Sequence, residues 1–164
     1  MRVDHGFGPV YDSSSRILIL GSFPSVKSRE IGFYYGHPQN RFWRVLGAVL
    51  GDEVPDTVDG KRAYLLSRGI ALWDVIGSCE IVGSSDATVK DPEPTDLSMI
   101  LSVSPIERIC CNGKLAYSLL QKYGNVPGTI PVICLPSTSP ANAAWSLPRL
   151  CEAWREIGSN KQGD

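Results

Sequence analysis

The sequence predicts an α/β fold, a three-layer α/β/α domain around a central, mostly parallel four-stranded sheet. Short aliphatic runs alternate with stretches whose apolar residues recur at helical spacing, the pattern of strands joined by covering helices. The helical stretches stop at Gly51, Gly69 and Gly124, glycine being common just past a helix end. The chain has 164 residues, 43% hydrophobic, enough for one ordinary domain with a core.

The first strand is Arg16 to Leu20, whose aliphatic run breaks at the turn Gly21-Ser22-Phe23-Pro24-Ser25. From Asn40 onward Phe42, Val45, Leu46, Val49 and Leu50 mark an amphipathic helix. A second helix spans Lys61 to Arg68 with Asp59 as its expected N-cap, and a strand, Ile70 to Trp73, follows and ends at Asp74. Residues Gly77 to Thr95 show neither period and read as a long surface loop, a type of segment that is more often functional than idle. Thr95 is the expected cap of a helix through Leu101, with Asp96 in its first turn. Then come a strand, Ile106 to Cys111, a helix, Leu115 to Tyr123, and a strand, Val132 to Leu135. The loop Pro136 to Ala144 leads to a helix capped by Ser146, with Leu147, Leu150, Cys151, Trp154 and Ile157 on one face. Residues 1–158 form the expected domain, and 159–164 a polar, frayed tail.

Composition excludes several classes. Sixteen Lys and Arg against seventeen Asp and Glu leave a net charge of -1, so any nucleic-acid site must be a local basic patch. The longest aliphatic run, Ile17 to Leu20, is far short of the ~18 residues of a membrane span. Met1 to Gly6 leads into no apolar core of a secretory signal, and a cytoplasmic setting is expected. Five cysteines make no CxxC pair; Cys110, Cys111 and Cys134 read as buried thiols in strands. With two histidines, His5 and His37, the supply of metal ligands is thin, and neither metal nor cofactor is expected.

In a parallel sheet the loops leaving the carboxyl ends of the strands share one edge, where ligands bind. Four loops therefore converge: Gly21 to Ser25, Trp73 to Gly77, Asn112 to Lys114 and Ser137 to Asn142. No phosphate loop, GxGxxG, GxSxG or HExxH is present. Two hydroxyl-rich turns, Gly21-Ser22-Phe23-Pro24-Ser25 and Pro136-Ser137-Thr138-Ser139-Pro140, have hydroxyls and backbone N–H groups for phosphate oxygens. The densest aromatic stretch runs from Gly32 to Trp43. Phe42 and Trp43 fall on the apolar helix face and read as core, whereas Tyr34, Tyr35 and Asn40 fit either a base-binding site or a structural turn. His37 precedes Pro38 and reads either as a contact to base or phosphate or as a ring bonded within its loop. Asp74 is the strand-end carboxylate that orients a water or else caps the loop. Lys27, Arg29, Arg41 and Lys114 flank the turns as a basic patch or as solvated side chains.

Gly32 to Trp43, with HPQNRFW its most specific part, together with the GSFPS, NGKLAY and STSPAN segments, resembles the uracil-DNA glycosylase superfamily. It is most similar to the hypoxanthine-DNA (deoxyinosine) glycosylases and the mismatch-specific branch, over most of the chain. The resemblance implies a DNA repair enzyme that flips a deaminated base, preferably hypoxanthine, out of the helix and hydrolyses its N-glycosidic bond, as a monomer on DNA without a protein partner. Its implied catalytic residues are Asn40 and, in the first motif, Ser22 and Phe23, to which the strand-end reading adds Asp74; base binding falls to Gly21, Tyr35 and Asn40, to which the reading of the loop adds His37. DNA binding falls to Ser25 and the second motif, Ser137, Thr138, Ser139, Pro140, Ala141 and Asn142, to which the flanking basic side chains Lys27 and Lys114 are added from the charge reading. The chain departs from its relatives in having Phe23 where uracil-excising members carry Asp or Asn, Ala141 where the mismatch branch has an apolar wedge, and no histidine in the second motif. No lysine sits at a motif position that would support Schiff-base lyase chemistry. G·U uracil excision and a non-catalytic module that binds damaged or single-stranded nucleic acid are the alternatives.

Overall fold

A computed structural model describes residues 2–81 and 89–158 of the chain. In chain order the elements are β1 (Arg2–Asp4), β2 (Ile17–Gly21), α1 (Val26–Ile31), α2 (Phe42–Leu50), α3 (Val58–Ser67), β3 (Ile70–Asp74), β4 (Ile76–Ile81), β5 (Val89–Pro94), α4 (Ser98–Leu101), β6 (Arg108–Asn112), α5 (Lys114–Tyr123), β7 (Val132–Leu135) and α6 (Leu147–Trp154), closed by a 3-10 turn, Arg155–Ile157. β2, β3, β6 and β7 form a four-stranded parallel sheet in the order β3-β2-β6-β7. β2 and β3 are buried at every residue, which is why they read as continuous apolar runs rather than alternating ones.

The chain leaves β2 toward β3 on one side and β6 toward β7 on the other. The β2–β3 and β6–β7 connections run in opposite directions across the sheet, and with the right hand that such crossovers take, α1 to α3 and α5 fall on opposite faces, the three-layer arrangement. α6 returns to pack on α2, with Phe42, Leu46 and Trp154 fully buried. Because the chain turns outward in both directions from β2 and β6, a crevice opens beyond their carboxyl ends. No helix among the described residues is long and apolar enough to cross a membrane.

Several expectations need correction. Most of the loop expected from Gly77 to Thr95 is strand: β4 pairs antiparallel with β5 and with β1, forming a second sheet in the order β1-β4-β5. The β4–β5 register shifts twice, and β5 carries Pro92 and Pro94 and a left-handed Asp91 (φ 48°), so no clean alternation survives in the sequence. Proline is tolerated there because β5 is an edge strand. Residues 82–88, the middle of that expected loop, and the expected tail at 159–164 lie outside the described residues.

Two caps also differ. Thr57, not Asp59, caps α3, its Oγ1 accepting from the Gly60 N–H at 3.0 Å. Asp59 sits in the first turn, where its charge complements the helix dipole. Thr95 does not cap α4; its hydroxyl donates to the Asp74 carbonyl at 2.8 Å, and Asp96 accepts from the Ser98 N–H instead. Ser146 does cap α6. Cys110 and Cys111 are buried, and burial pushes the Cys111 thiol up to about 12, but Cys134 is exposed because β7 is the outer strand of its sheet.

Candidate active site

The crevice at the carboxyl ends of the parallel strands holds a cavity of ≈ 440 Å³. The Gly21–Ser25 turn after β2, Asp74 at the end of β3, Asn112 at the end of β6, and Ser139, Pro140 and Ala141 after β7 all line it. Tyr35, His37 and Asn40 from the segment before α2 complete the wall. The expected convergence of four loops is therefore observed, although Asp74 alone represents the Trp73 to Gly77 segment and Asn112 alone the Asn112 to Lys114 segment. A cavity of ≈ 600 Å³ at the opposite edge is lined by the amino ends of β2 and β3, with Arg16 and Arg68 at its rim paired with Glu107 and Asp52.

One wall is an amide network. Asn40 Oδ1 accepts from the Phe42 N–H and from the Thr138 hydroxyl, both at 2.9 Å. Thr138 is fully buried; its Oγ1 accepts from Asn112 Nδ2 and its N–H donates to Asn112 Oδ1, both at 3.0 Å. Two donors thus fix the Asn40 oxygen inward, and Nδ2 is the atom left for a ligand. Gly113 (φ 103°) makes this approach possible: a Cβ there would lie 3.0 Å from Ser137 Cβ.

The facing wall is aromatic and acidic. Asp74 Oδ2 and His5 Nε2 are 2.7 Å apart, and both side chains are buried. A Cβ on Gly21 would fall 2.4 Å from Asp74 Oδ1 and 3.2 Å from the Tyr35 hydroxyl, so glycine is what lets both oxygens reach this point. Tyr35 has a left-handed backbone (φ 54°), a conformation that costs a bulky residue about 1–3 kcal/mol. It is held by the Gly36 N–H donating to Ser28 Oγ at 2.9 Å, and by the ring stacking on Phe42 at 4.1 Å. Burial first, then the Asp74 carboxylate, raise the Tyr35 phenol above its ordinary range; the nearby Asn112 amide opposes that shift without closing a hydrogen bond of good geometry.

The remaining candidates divide by what already occupies them. Tyr34 is structural in part: it is buried, and its hydroxyl donates to the Gly8 carbonyl at 2.8 Å. His37 Nδ1 accepts from the Gln39 N–H at 3.1 Å, leaving Nε2 as the ring's other polar atom. Ser22 and Phe23 line the cavity, whereas Ser25 Oγ caps α1 by accepting from the Ser28 N–H. Ser137 and Ser139 accept from the N–H groups of Ser139 and Ala141, which leaves each hydroxyl proton for an anion. Asn142 Nδ2 donates to the Ser137 carbonyl, bracing the same loop.

Of the basic candidates, Lys27 lies 3.8 Å from Glu30, and Arg29 donates to the Pro24 carbonyl. Lys114 is exposed at the start of α5. Arg41 is turned inward: its guanidinium donates to the carbonyls of Trp145, Ser139 at 3.0 Å and Asn142 at 3.1 Å, fixing the second loop. Sequence reasoning missed His5 as a site neighbour, Asn112 and Thr138 as the clamp on Asn40, and Leu115, an exposed apolar side chain at the cavity.

Known proteins match the chain along most of its length. Residues 8–158 match the family described as the uracil DNA glycosylase superfamily. A hypoxanthine DNA glycosylase of Methanosarcina acetivorans is 36% identical over 160 residues, 94% of this chain and 98% of that protein. One of Methanosarcina barkeri is 39% identical over 111 residues, 66% of this chain and 70% of that protein. A solution NMR structure of a protein from Methanosarcina acetivorans, provisionally described as a uracil DNA glycosylase, superimposes with a TM-score of 0.76 at 34% identity, covering 96% of this chain and 99% of that one.

Proposed function

The chain belongs to the uracil DNA glycosylase superfamily, and on that premise we propose that it is a monofunctional DNA glycosylase that removes hypoxanthine from DNA. It flips the base into the ≈ 440 Å³ cavity and hydrolyses the N-glycosidic bond, leaving an abasic site. The observation that carries this reading is the fixed orientation of the Asn40 amide, whose oxygen is held by Phe42 and Thr138 so that an N–H donor meets the ligand. Hypoxanthine presents acceptors at O6 and N7, whereas adenine presents a donor at its N6, so the same amide favours the deaminated purine.

In the proposed reaction Tyr35 stacks on the base with the face that Phe42 does not cover. Bond cleavage leaves electron density on the departing purine and positive charge on the sugar. The Asn40 donor stabilises the first, and the DNA phosphates, gripped by the Ser137 and Ser139 hydroxyls and Lys114, stabilise the second; Thr138, expected among the DNA contacts, is buried with its hydroxyl spent on Asn40. Asp74 orients the attacking water, the task that the Phe23 side chain cannot perform. The enzyme acts as a cytoplasmic monomer without a cofactor.

Incubation with a duplex carrying one hypoxanthine, then alkali, tests the reading. Strand breaks at hypoxanthine are expected, persisting in EDTA and absent without alkali. Asn40→Ala should lower the excision rate by about 10²–10³-fold, the usual cost of a lost transition-state donor. Breaks only at uracil opposite guanine would transfer the reading to mismatch uracil excision, and binding without breaks to a non-catalytic module.

A further inference from the structure

The buried contact between His5 and Asp74 joins the two sheets at the active cavity. Asp74 is the last residue of β3, in register with Gly21 of β2. The chain then crosses at Val75, whose N–H donates to the Gly21 carbonyl at 2.8 Å, into β4 of the antiparallel sheet. β1 lies on β4, and the His5 N–H that follows it donates to the Gly77 carbonyl at 2.8 Å. That pairing brings His5 Nε2 to 2.7 Å from Asp74 Oδ2.

The surroundings of His5 are apolar. Its ring packs against Phe7, Tyr34 and Phe23 at centroid distances of 4.5, 5.9 and 6.1 Å, and Nδ1 is buried without a partner. An apolar side chain would fill such a shell without stranding a nitrogen, so packing alone does not account for an imidazole here. What the imidazole adds is one N–H donor aimed at one carboxylate oxygen. The other oxygen, Oδ1, then lies against Gly21 beside the Tyr35 hydroxyl, on the cavity side.

We propose that His5 is a positioning residue for base excision: by holding Oδ2 it turns Oδ1 of Asp74 toward the attacking water. The inference rests on the glycosylase reading and deepens it. In the step it serves, the C1′–N9 bond breaks and its electron pair leaves with the purine. The water oxygen bonds C1′, and the water proton passes to Asp74 Oδ1. The purine takes its proton from solvent. Phe23 then has a defined place: at the first-turn position it covers the His5 ring rather than holding the water.

The test uses the full chain, with single-turnover excision on the hypoxanthine duplex, Kd for the same duplex, and thermal unfolding. His5→Ala should slow excision about 10–100-fold, the cost of a misplaced catalytic group, with Kd within about threefold of wild type. His5→Gln, which keeps an N–H donor, should recover most of the rate. In an Asp74→Asn background, replacing His5 should slow excision no further, because paired residues are not additive. Should His5→Ala prove unfolded at the assay temperature, His5→Gln decides by retaining far more activity than Asp74→Asn. Excision at the wild-type rate in His5→Ala, a His5→Gln as slow as Asp74→Asn with wild-type unfolding, or additive losses in the double variant overturns the inference alone. Absence of hypoxanthine excision by the wild-type protein overturns the glycosylase reading and this inference with it.

Discussion

The two walls of the cavity are built on opposite principles. On the Asn40 wall the amide oxygen, the Thr138 hydroxyl and the Asn112 side chain satisfy one another in a closed chain of hydrogen bonds. On the Asp74 wall two buried polar atoms, Tyr35 Oη and His5 Nδ1, have no hydrogen bond, and beyond the single His5–Asp74 contact the side chains are held by ring packing. The first wall offers a donor to what enters and the second a carboxylate oxygen. A glycosidic bond that breaks between them separates charge in the matching sense, with the base toward the donor and the sugar toward the acceptor. A satisfied network tolerates little change, whereas a ring-packed wall tolerates losing a polar atom that has no partner.

The sharpest way to break that comparison is Arg41→Ala. Its guanidinium ties three carbonyls of the second loop, and hydrogen bonds to a charged group are worth about 1.5–3 kcal/mol each in favourable cases. The expected loss is about 2–3 kcal/mol, a fall in Tm of about 5–10 °C, with weaker DNA binding. An unchanged melting curve would show that the second loop does not depend on this anchor. Next comes Thr138→Val, which keeps the shape and removes the hydroxyl between Asn112 and Asn40. It frees the Asn40 amide to turn, so excision should fall about tenfold while Kd for the duplex changes little. Equal losses in rate and affinity would mean that Thr138 shapes the loop rather than the amide.

The asymmetry also governs what can be read from the chain. β2, β3 and β6 are legible because two-sided burial forces short apolar runs, in β6 Ile109-Cys110-Cys111, and α2 because one buried face imposes its period on Phe42, Val45 and Leu46. For Asn40 and Tyr35 the polar and aromatic segment before α2 leaves a base site and a structural turn both open, and only the family resemblance singles them out. β1, β4 and β5 are not legible, since short antiparallel strands with register shifts and prolines lose their alternation. His5 is hidden for the same reason: its partner lies 69 residues away, reached only through that second sheet. Thr138 looks like one hydroxyl among several, and nothing local marks it as the fully buried one.

The smallest effect is expected on the ring-packed wall, from Tyr35→Phe. The Tyr35 hydroxyl is buried and has no hydrogen bond, and burial and the Asp74 carboxylate both favour its protonated form, so it contributes neither a bond nor a charge. Removing a polar atom that has no partner is close to neutral, within about 1 kcal/mol, and excision should stay within about threefold. The ring itself is a different matter, because its stacking on Phe42 at 4.1 Å places the surface proposed for the base. Tyr35→Phe should therefore behave as wild type in both Tm and single-turnover rate. A tenfold slower Tyr35→Phe with normal stability would instead assign the hydroxyl a role beside Asp74 Oδ1, and the two walls would then differ less than their hydrogen bonds suggest.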